Sequence, residues 1–324
     1  MRKVILDVDT GSDDAVAIVT AGFSPDIELI ALCTVWGNLP IEVTTDNTLR
    51  VVSAFGLDVP VYRGCDRPLV KDLLKDYPPK KLRRLTDENG QPLAMHTPNM
   101  GLPPTDRQME DLPAAMFYVD YLRKAREKVT VVLVGPLTNF ALALRIDPGI
   151  IENVEEVVIM GGGHDFANAR PCAEANIWND PEAAQIVLEC GGRVVFVPLD
   201  ATHRAYITID DCRRMRQIGS PAAVFCAEQI TQRIKVHTLT QPLEAPDSAA
   251  VHDPLAIAYL IDPQVLSDLR NVHMSIGQGG PGEGQTIIDS RYYTQKKNCW
   301  FAFNGDRDRF AEILLSVLEN SRRS

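Results

Sequence analysis

The sequence predicts an α/β fold, an open, mostly parallel, Rossmann-like sheet flanked by helices and completed by C-terminal helices and a β-hairpin. Two observations carry this. Short β-branched runs alternate with amphipathic stretches, the rhythm of βαβ units. The 324 residues are 45% hydrophobic and 23% charged, the balance of a globular chain with ample core.

In order, Val4 to Leu6 reads as a strand before a helix from Asp14, and Glu28 to Val35 as a strand before a helix around Thr44 to Phe55. Asp66 to Asp106 is rich in proline and basic residues with weak periodicity, so it reads as an excursion or lid beside the site, within a single domain spanning 1–324. The rhythm resumes with Val129 to Val134 before a helix from Leu137, Val154 to Met160 before a glycine run, a helix from Pro181, and Arg193 to Leu199. Ile207 to Thr238 reads as helices, Asp253 to Ile261 as another, Val265 to Trp300 as strands with a hairpin, and Arg307 to Arg322 as a closing helix.

Thirty-three Lys and Arg against 43 Asp and Glu give a net charge of -10, which argues against a nucleic-acid partner and favours small neutral or cationic ligands. Seven scattered cysteines without a CxxC pair argue against a disulfide framework and a structural zinc site. No stretch resembles a signal-peptide core or a membrane span, so a soluble, cytoplasmic protein without membrane contact is expected.

The most informative stretch is Leu6-Asp7-Val8-Asp9-Thr10-Gly11-Ser12-Asp13-Asp14-Ala15, with four carboxylates in eight positions where a strand ends and a helix begins. Ligands bind at such turns in α/β sheets, and a helix N-terminus favours negative charge. A half-charge of dipole does not neutralise four aspartates, so a hard cation is the economical explanation. Helix capping by Asp13 or Asp14 would account for an isolated pair of aspartates but not for four together. A phosphatase of the haloacid-dehalogenase type begins with D-x-D but wants Thr or Val where Gly11 stands. An EF-hand starting at Asp7 fails at Gly11 and Ile18.

This run resembles the N-terminal fingerprint of the inosine-uridine-preferring nucleoside hydrolase family, D-x-D-(P/T)-G-x-D-D-(A/T)-x-A, from Asp7 through Ala17. The likeness extends through Thr34-Val35-Trp36-Gly37-Asn38, Leu137-Thr138-Asn139, Met160-Gly161-Gly162-Gly163, Asn168, Ala173-Glu174-Ala175-Asn176, Asp180-Pro181-Glu182 and Val251-His252-Asp253-Pro254, in the family's order, covering residue 3 to about 262. The resemblance implies the nucleoside hydrolase fold and a Ca2+-dependent ribonucleoside N-ribohydrolase. Asp9, Asp14, Asp253 and the Val134 carbonyl would bind the calcium, and Asp9 would deprotonate the calcium-held water. Asp13, Asn168, Glu174 and Asn176 would hold the ribose hydroxyls, with Asp253 also near the sugar. Asn38 would sit near the anomeric carbon and the attacking water, Met160 would wall the sugar pocket, and His252 would be the leaving-group acid. The resemblance further implies a homodimer or homotetramer.

The chemistry calls for such a set on its own terms. Cleaving an N-glycosidic bond develops positive charge on the ribose, which carboxylates and amide oxygens stabilise, and a single displacement by water inverts the anomeric carbon. His96, in His96-Thr97-Pro98-Asn99-Met100-Gly101-Leu102, is similar in setting to a family histidine near the pocket and is a further candidate. His164 is a candidate for the entrance or an exposed loop residue. His203, His237 and His273 read as surface or satisfied core residues. Trp36 and Trp178 are candidates for base stacking, with packing the commoner use. Asp180-Pro181-Glu182 reads as a helix cap. Gly277-Gln278-Gly279-Gly280-Pro281-Gly282 reads as a hairpin loop, since a strand follows it. Base preference is expected to reside around residues 70–105 and 225–245, with Phe225, His237 and Gln241 available. His252 leans towards a base-nonspecific enzyme. Two alternatives stay open: a non-catalytic calcium-dependent nucleoside or ribose binder, and a metal-dependent phosphatase, for which no phosphate-gripping Arg or Lys is evident in these motifs.

Overall fold

The computed structural model describes residues 1–74, 85–86, 90, 92–291 and 296–323, so part of the expected lid, 75–84, 87–89 and 91, lies outside the described residues. From the N-terminus run β1 (Arg2–Val8), α1 (Ser12–Phe23), β2 (Ile27–Thr34), α2 (Ile41–Ala54), β3 (Val61–Arg63), a short antiparallel pair β4 (Leu85–Thr86) and β5 (Pro92–Leu93), then α3 (Ala114–Lys124). The second half of the sheet follows as β6 (Val129–Leu133), α4 (Thr138–Ile146), β7 (Val154–Met160), α5 (Ala175–Asn179), α6 (Pro181–Leu188) and β8 (Val194–Val197). The remainder comprises α7 (Leu199–Thr202), β9 (Tyr206–Thr208), α8 (Ile209–Ile218), α9 (Pro221–Thr240), β10 (Ser248–Ala250), α10 (His252–Ile261), β11 (Leu269–Val272), the hairpin β12 (Met274–Ile276) and β13 (Thr286–Ile288), β14 (Cys299–Ala302) and α11 (Arg307–Asn320).

Eight strands form the main sheet in the order β11-β14-β8-β7-β6-β1-β2-β3, all parallel except β11 on β14. Strands covered on both faces must be apolar nearly throughout, which is why β6 reads Val-Thr-Val-Val-Leu with every residue buried. Alternation then sorts the side chains: Val4, Leu6 and Val8 face the core shared with α1, α9, α10 and α11, while Ile5, Val131 and Leu133 face α3, α4 and α6. β1 has β2 on one side and β6 on the other, so the chain reverses direction across the sheet at β1/β6. A crevice opens beyond the carboxyl ends of the strands at such a point, and it sets the place of the site.

The helices begin a little earlier than apolar periodicity suggests. α1 starts at Ser12, because the Asp14 carboxylate reaches back to the backbone N–H groups of Gly11 and Asp9, at 2.9 and 3.0 Å. α2 starts at Ile41, directly after Pro40. Asp180 caps α6 as expected, accepting from Ala183 N–H at 3.1 Å, and the glycine-rich segment at 277–282 lies in the β12–β13 hairpin. Among the described residues no helix is long and apolar enough to cross a membrane.

Candidate active site

Four buried aspartates meet beyond the ends of β1 and β6, but not the four of the N-terminal run. Asp7 turns beneath the site, where its carboxylate accepts from Tyr118 Oη at 3.0 Å and from Asn139 Nδ2 at 3.1 Å, and burial pushes it up to about 7. The same Asn139 amide donates to the Thr34 carbonyl at 3.0 Å, tying the ends of β1 and β2 to α4. Asp253 takes the fourth place, brought in as the second residue of α10, which packs along α1.

Carboxylate oxygens of Asp13, Asp14 and Asp253 all lie within 4.8 Å of one another. Both helices present their N-terminal turns to this cluster, the end where the dipole favours negative charge. Asp9 joins through Asn38, whose backbone N–H donates to Asp9 Oδ2 at 2.6 Å and whose side-chain amide donates to Asp9 Oδ1 at 3.1 Å and Asp14 Oδ2 at 3.2 Å. Burial, then the charge of Asp13, pushes Asp14 up to about 6. Burial and the neighbouring aspartates push Asp253 well above the ordinary carboxylate range. The centre calls for positive charge.

Arg233, from the middle of α9, supplies some of it. Its Nη1 stands 2.8 Å from Asp13 Oδ1 as an ion pair and donates to Ser12 Oγ at 3.2 Å, while Nε donates to the Ala250 carbonyl at 2.6 Å. Asp13 Oδ1 is buried and compensated in charge, yet among the described residues it accepts no hydrogen bond. His96 lies across the same edge: Nδ1 accepts from Ser12 N–H at 3.3 Å and is 4.0 Å from Asp13 Oδ1. A Cβ on Gly11 would fall 2.0 Å from that ring nitrogen, so any other residue there would displace the His96 ring.

On the β6–β7 side, Asn176 Nδ2 donates to the Val134 carbonyl at 2.7 Å and the Met160 carbonyl at 3.1 Å, so these three residues form one wall. Glu174 is buried and accepts backbone N–H groups of Gly162, Asn176 and Ile177 at 3.0, 2.9 and 3.2 Å, and burial pushes it up to about 7. Asn168 is placed differently: it is exposed, with Oδ1 accepting from Ala175 N–H at 2.9 Å, and so braces the loop into α5 from the rim.

His252 is buried with Nδ1 2.7 Å from Thr202 Oγ1. His203 and His237 flank it, their ring centroids 5.8 and 5.9 Å away. Both are buried, and among the described residues His203 Nε2 and His237 Nδ1 find no hydrogen-bond partner, so they are neither surface nor satisfied core residues. Burial, then the Arg233 charge, drives His203 down to about 4, His237 to about 3 and His252 well below its ordinary value, so all three rings rest neutral. His273 is half-buried and bonded to the Lys296 carbonyl, and His164 is exposed beside Asp165. Trp178 is covered by Lys71 Nζ at 3.8 Å and the Arg170 guanidinium at 4.6 Å, which favours its packing role.

Sequence reading missed Arg233, although a signal existed. Cys226, Ile230, Arg233 and His237 fall at spacings of four, three and four, one buried stripe of α9, and a cation on an apolar stripe marks a buried partner. Thr202 carried no such signal, since its role depends on α7 meeting α10 in space.

The donor set is oxygen throughout, with clustered buried carboxylates, a strand-end carbonyl and one aspartate oxygen free of hydrogen bonds. It fits a hard divalent cation such as calcium. A doubly wound sheet with this centre at its switch point defines a class of α/β enzyme that works on a small polar ligand. Comparison narrows the class. The family model described as inosine-uridine preferring nucleoside hydrolase matches residues 4–312. The chain is 37% identical to the inosine-uridine preferring nucleoside hydrolase of Leishmania major and 33% identical to the pyrimidine-specific ribonucleoside hydrolase RihA of Escherichia coli, with 98% of each chain covered in both cases. Its structure is similar to the purine-preferring ribonucleoside hydrolase of Gardnerella vaginalis, with a TM-score of 0.85 and 29% identity over 100% of both chains. It is also similar to a plant nucleoside hydrolase, with a TM-score of 0.84 and 26% identity over 98% and 99% of the two chains. The chain belongs to the inosine-uridine preferring nucleoside hydrolase family, and the protein is an enzyme of that type.

Proposed function

We propose that the protein cleaves the N-glycosidic bond of ribonucleosides by direct displacement with water, releasing ribose and a free nucleobase, with calcium as its resident ion. The observation that carries this reading is the buried centre itself: Asp9, Asp13, Asp14 and Asp253 converge beside Asn38 while Asp13 keeps an oxygen without a hydrogen bond. Calcium held by Asp9, Asp14, Asp253 and the Val134 carbonyl would supply positive charge for water activation and hydroxyl orientation.

The chain's own groups divide the remaining work. Asp9 accepts the water proton, and Asn38 fixes the Asp9 carboxylate in the orientation for doing so. Asp13 Oδ1 accepts a sugar hydroxyl, Glu174 and Asn176 line the ribose, and Met160 walls it. Asn168 closes that wall from the rim. The carboxylates stabilise the positive charge developing on the ribose ring.

His252 faces the departing base. Its ring rests neutral, so it assists departure as an N–H donor whose hydrogen bond strengthens as negative charge builds on the base, which then takes its proton from solvent. With the Thr202 hydroxyl as donor to Nδ1, that N–H would stand on Nε2. The neutral nitrogens of His203 and His237 beside it support acceptance of both purines and pyrimidines, because each ring can present a donor or an acceptor. A cytosolic homodimer or homotetramer completes the reading.

The test is ribose release from inosine, adenosine, guanosine, uridine and cytidine before and after calcium chelation. Chelator-sensitive release restored by calcium is expected. Calcium binding without release from any of these would favour a non-catalytic binder, and phosphate release from nucleotides would favour a phosphatase.

A further inference from the structure

Asp13 lies close enough to Asp14 and Asp253 to serve as an ion ligand with them, since the three share a sphere of 4.8 Å. Its Oδ1 faces Arg233 instead, at 2.8 Å. The guanidinium is nine-tenths buried, and burial of such a group is unfavourable unless it is paired and hydrogen-bonded. Its bonds to Ser12 Oγ and the Ala250 carbonyl hold it from two further directions, joining α9 to the first turn of α1 and to the segment that leads into His252. Thus the cation is fixed by the framework, and Asp13 is fixed by the cation.

We infer that Arg233 is a positioning residue that withholds Asp13 from the metal and keeps its Oδ1 available as a sugar-hydroxyl acceptor. Two effects of opposite sign follow. The guanidinium competes with the ion for the same negative field, so it weakens calcium binding. It also orients the oxygen that selects for a hydroxyl, so it strengthens recognition of ribose. The second effect rests on the hydrolase reading of the site, whereas the first rests on geometry and charge.

The experiment compares the parent with Arg233→Met and Arg233→Lys, using calorimetric titration of calcium into chelator-stripped protein together with kcat and KM for inosine and its 2′- and 3′-deoxy analogues. Arg233→Met, which keeps an unbranched apolar stem and removes the charge, is expected to bind calcium at least about tenfold more tightly. It should lose about 100-fold in kcat/KM on inosine, with a smaller loss on the analogue lacking the hydroxyl that Asp13 accepts, so that discrimination between the two collapses. Arg233→Lys retains the charge without the planar fork, so calcium affinity should stay within about threefold of the parent while discrimination falls. A folded Arg233→Met variant with unchanged or weaker calcium affinity and intact discrimination overturns the inference. Should that variant fail to fold by circular dichroism, parental discrimination in Arg233→Lys overturns it equally. A parent that binds calcium but hydrolyses no nucleoside overturns the hydrolase reading, and the calcium titration then judges Arg233 by itself. A parent that binds no calcium overturns both.

Discussion

Asn38 holds Asp9 from two sides, its backbone N–H at 2.6 Å from one carboxylate oxygen and its side-chain amide at 3.1 Å from the other. A carboxylate bound in this way cannot rotate freely, so the lone pair that takes a proton keeps its direction. The arrangement separates two contributions that substitution can resolve. On the proposed mechanism Asp9→Ala would remove the base and one ligand to the ion, and should lower kcat by about 10³-fold or more while some substrate binding persists. Asn38→Ala keeps the backbone bond and loses the amide, so the loss should be nearer tenfold and mostly in kcat. Steady-state kinetics on inosine and uridine read both. Full activity in Asp9→Ala would dismiss the mechanism.

His252 tests the other end of the reaction. A purine or pyrimidine is a poor leaving group as an anion, whereas p-nitrophenolate leaves readily without help. His252→Ala should therefore lower kcat on nucleosides by about 10²-fold and spare p-nitrophenyl riboside. Equal losses on the two substrates would show that His252 supports the fold of the pocket and nothing more.

Much of this site was legible in the sequence, for a physical reason. Asp9, Asp13 and Asp14 are local to one turn, and a turn with that many carboxylates cannot be stable in a sheet crevice without counter-charge. Parallel strands were equally plain, because burial on both faces forces apolar runs such as Val157 to Met160. What depends on distant segments meeting was harder to read. Asp7 belongs to the same sequence motif yet turns towards Tyr118 and Asn139, a difference of direction that composition does not encode. His203 and His237 looked like ordinary histidines because their significance lies in ring contacts with His252, 49 and 15 residues away in the chain.

Those two histidines make a prediction about pH. Both sit below their ordinary value of 6.5, at about 4 and about 3, because burial and Arg233 disfavour the imidazolium. As pH falls below 6.5 the unfolded chain takes up protons that the folded one refuses, so their contribution to stability is complete above that pH and is lost progressively down to about pH 4 for His203 and about pH 3 for His237. Each ring contributes a slope of about 1.4 kcal/mol per pH unit in that window. Asp7 and Glu174, both raised to about 7, act in the opposite sense, favouring the folded state at low pH and losing that contribution as pH rises through 7. The histidine term is therefore read as a difference. Denaturant melts of the parent and of His237→Gln at pH 7 and pH 5 should show the variant losing less stability on acidification, and parallel curves would refute the neutral-ring assignment.

Gly37 offers the sharpest separation of activity from stability. A Cβ there would stand 2.1 Å from Asp9 Oδ2 and 2.8 Å from the ring of Pro136, so a single methyl group strikes the base and the β6 turn together. The Asp9 carboxylate is the softer of the two neighbours, since a side-chain torsion yields more readily than a proline ring held between Gly135 and Leu137. Gly37→Ala should consequently rotate Asp9 off its bonds to Asn38, at a stability cost of about 1–3 kcal/mol, while turnover falls by about 10²-fold or more. Thermal melting alongside kcat measures the two effects. Gly37 also has a φ of 157°, so backbone strain adds to the stability cost. A variant with lowered melting temperature and parental kcat would mean that the backbone or the proline ring had absorbed the methyl group while Asp9 kept its place.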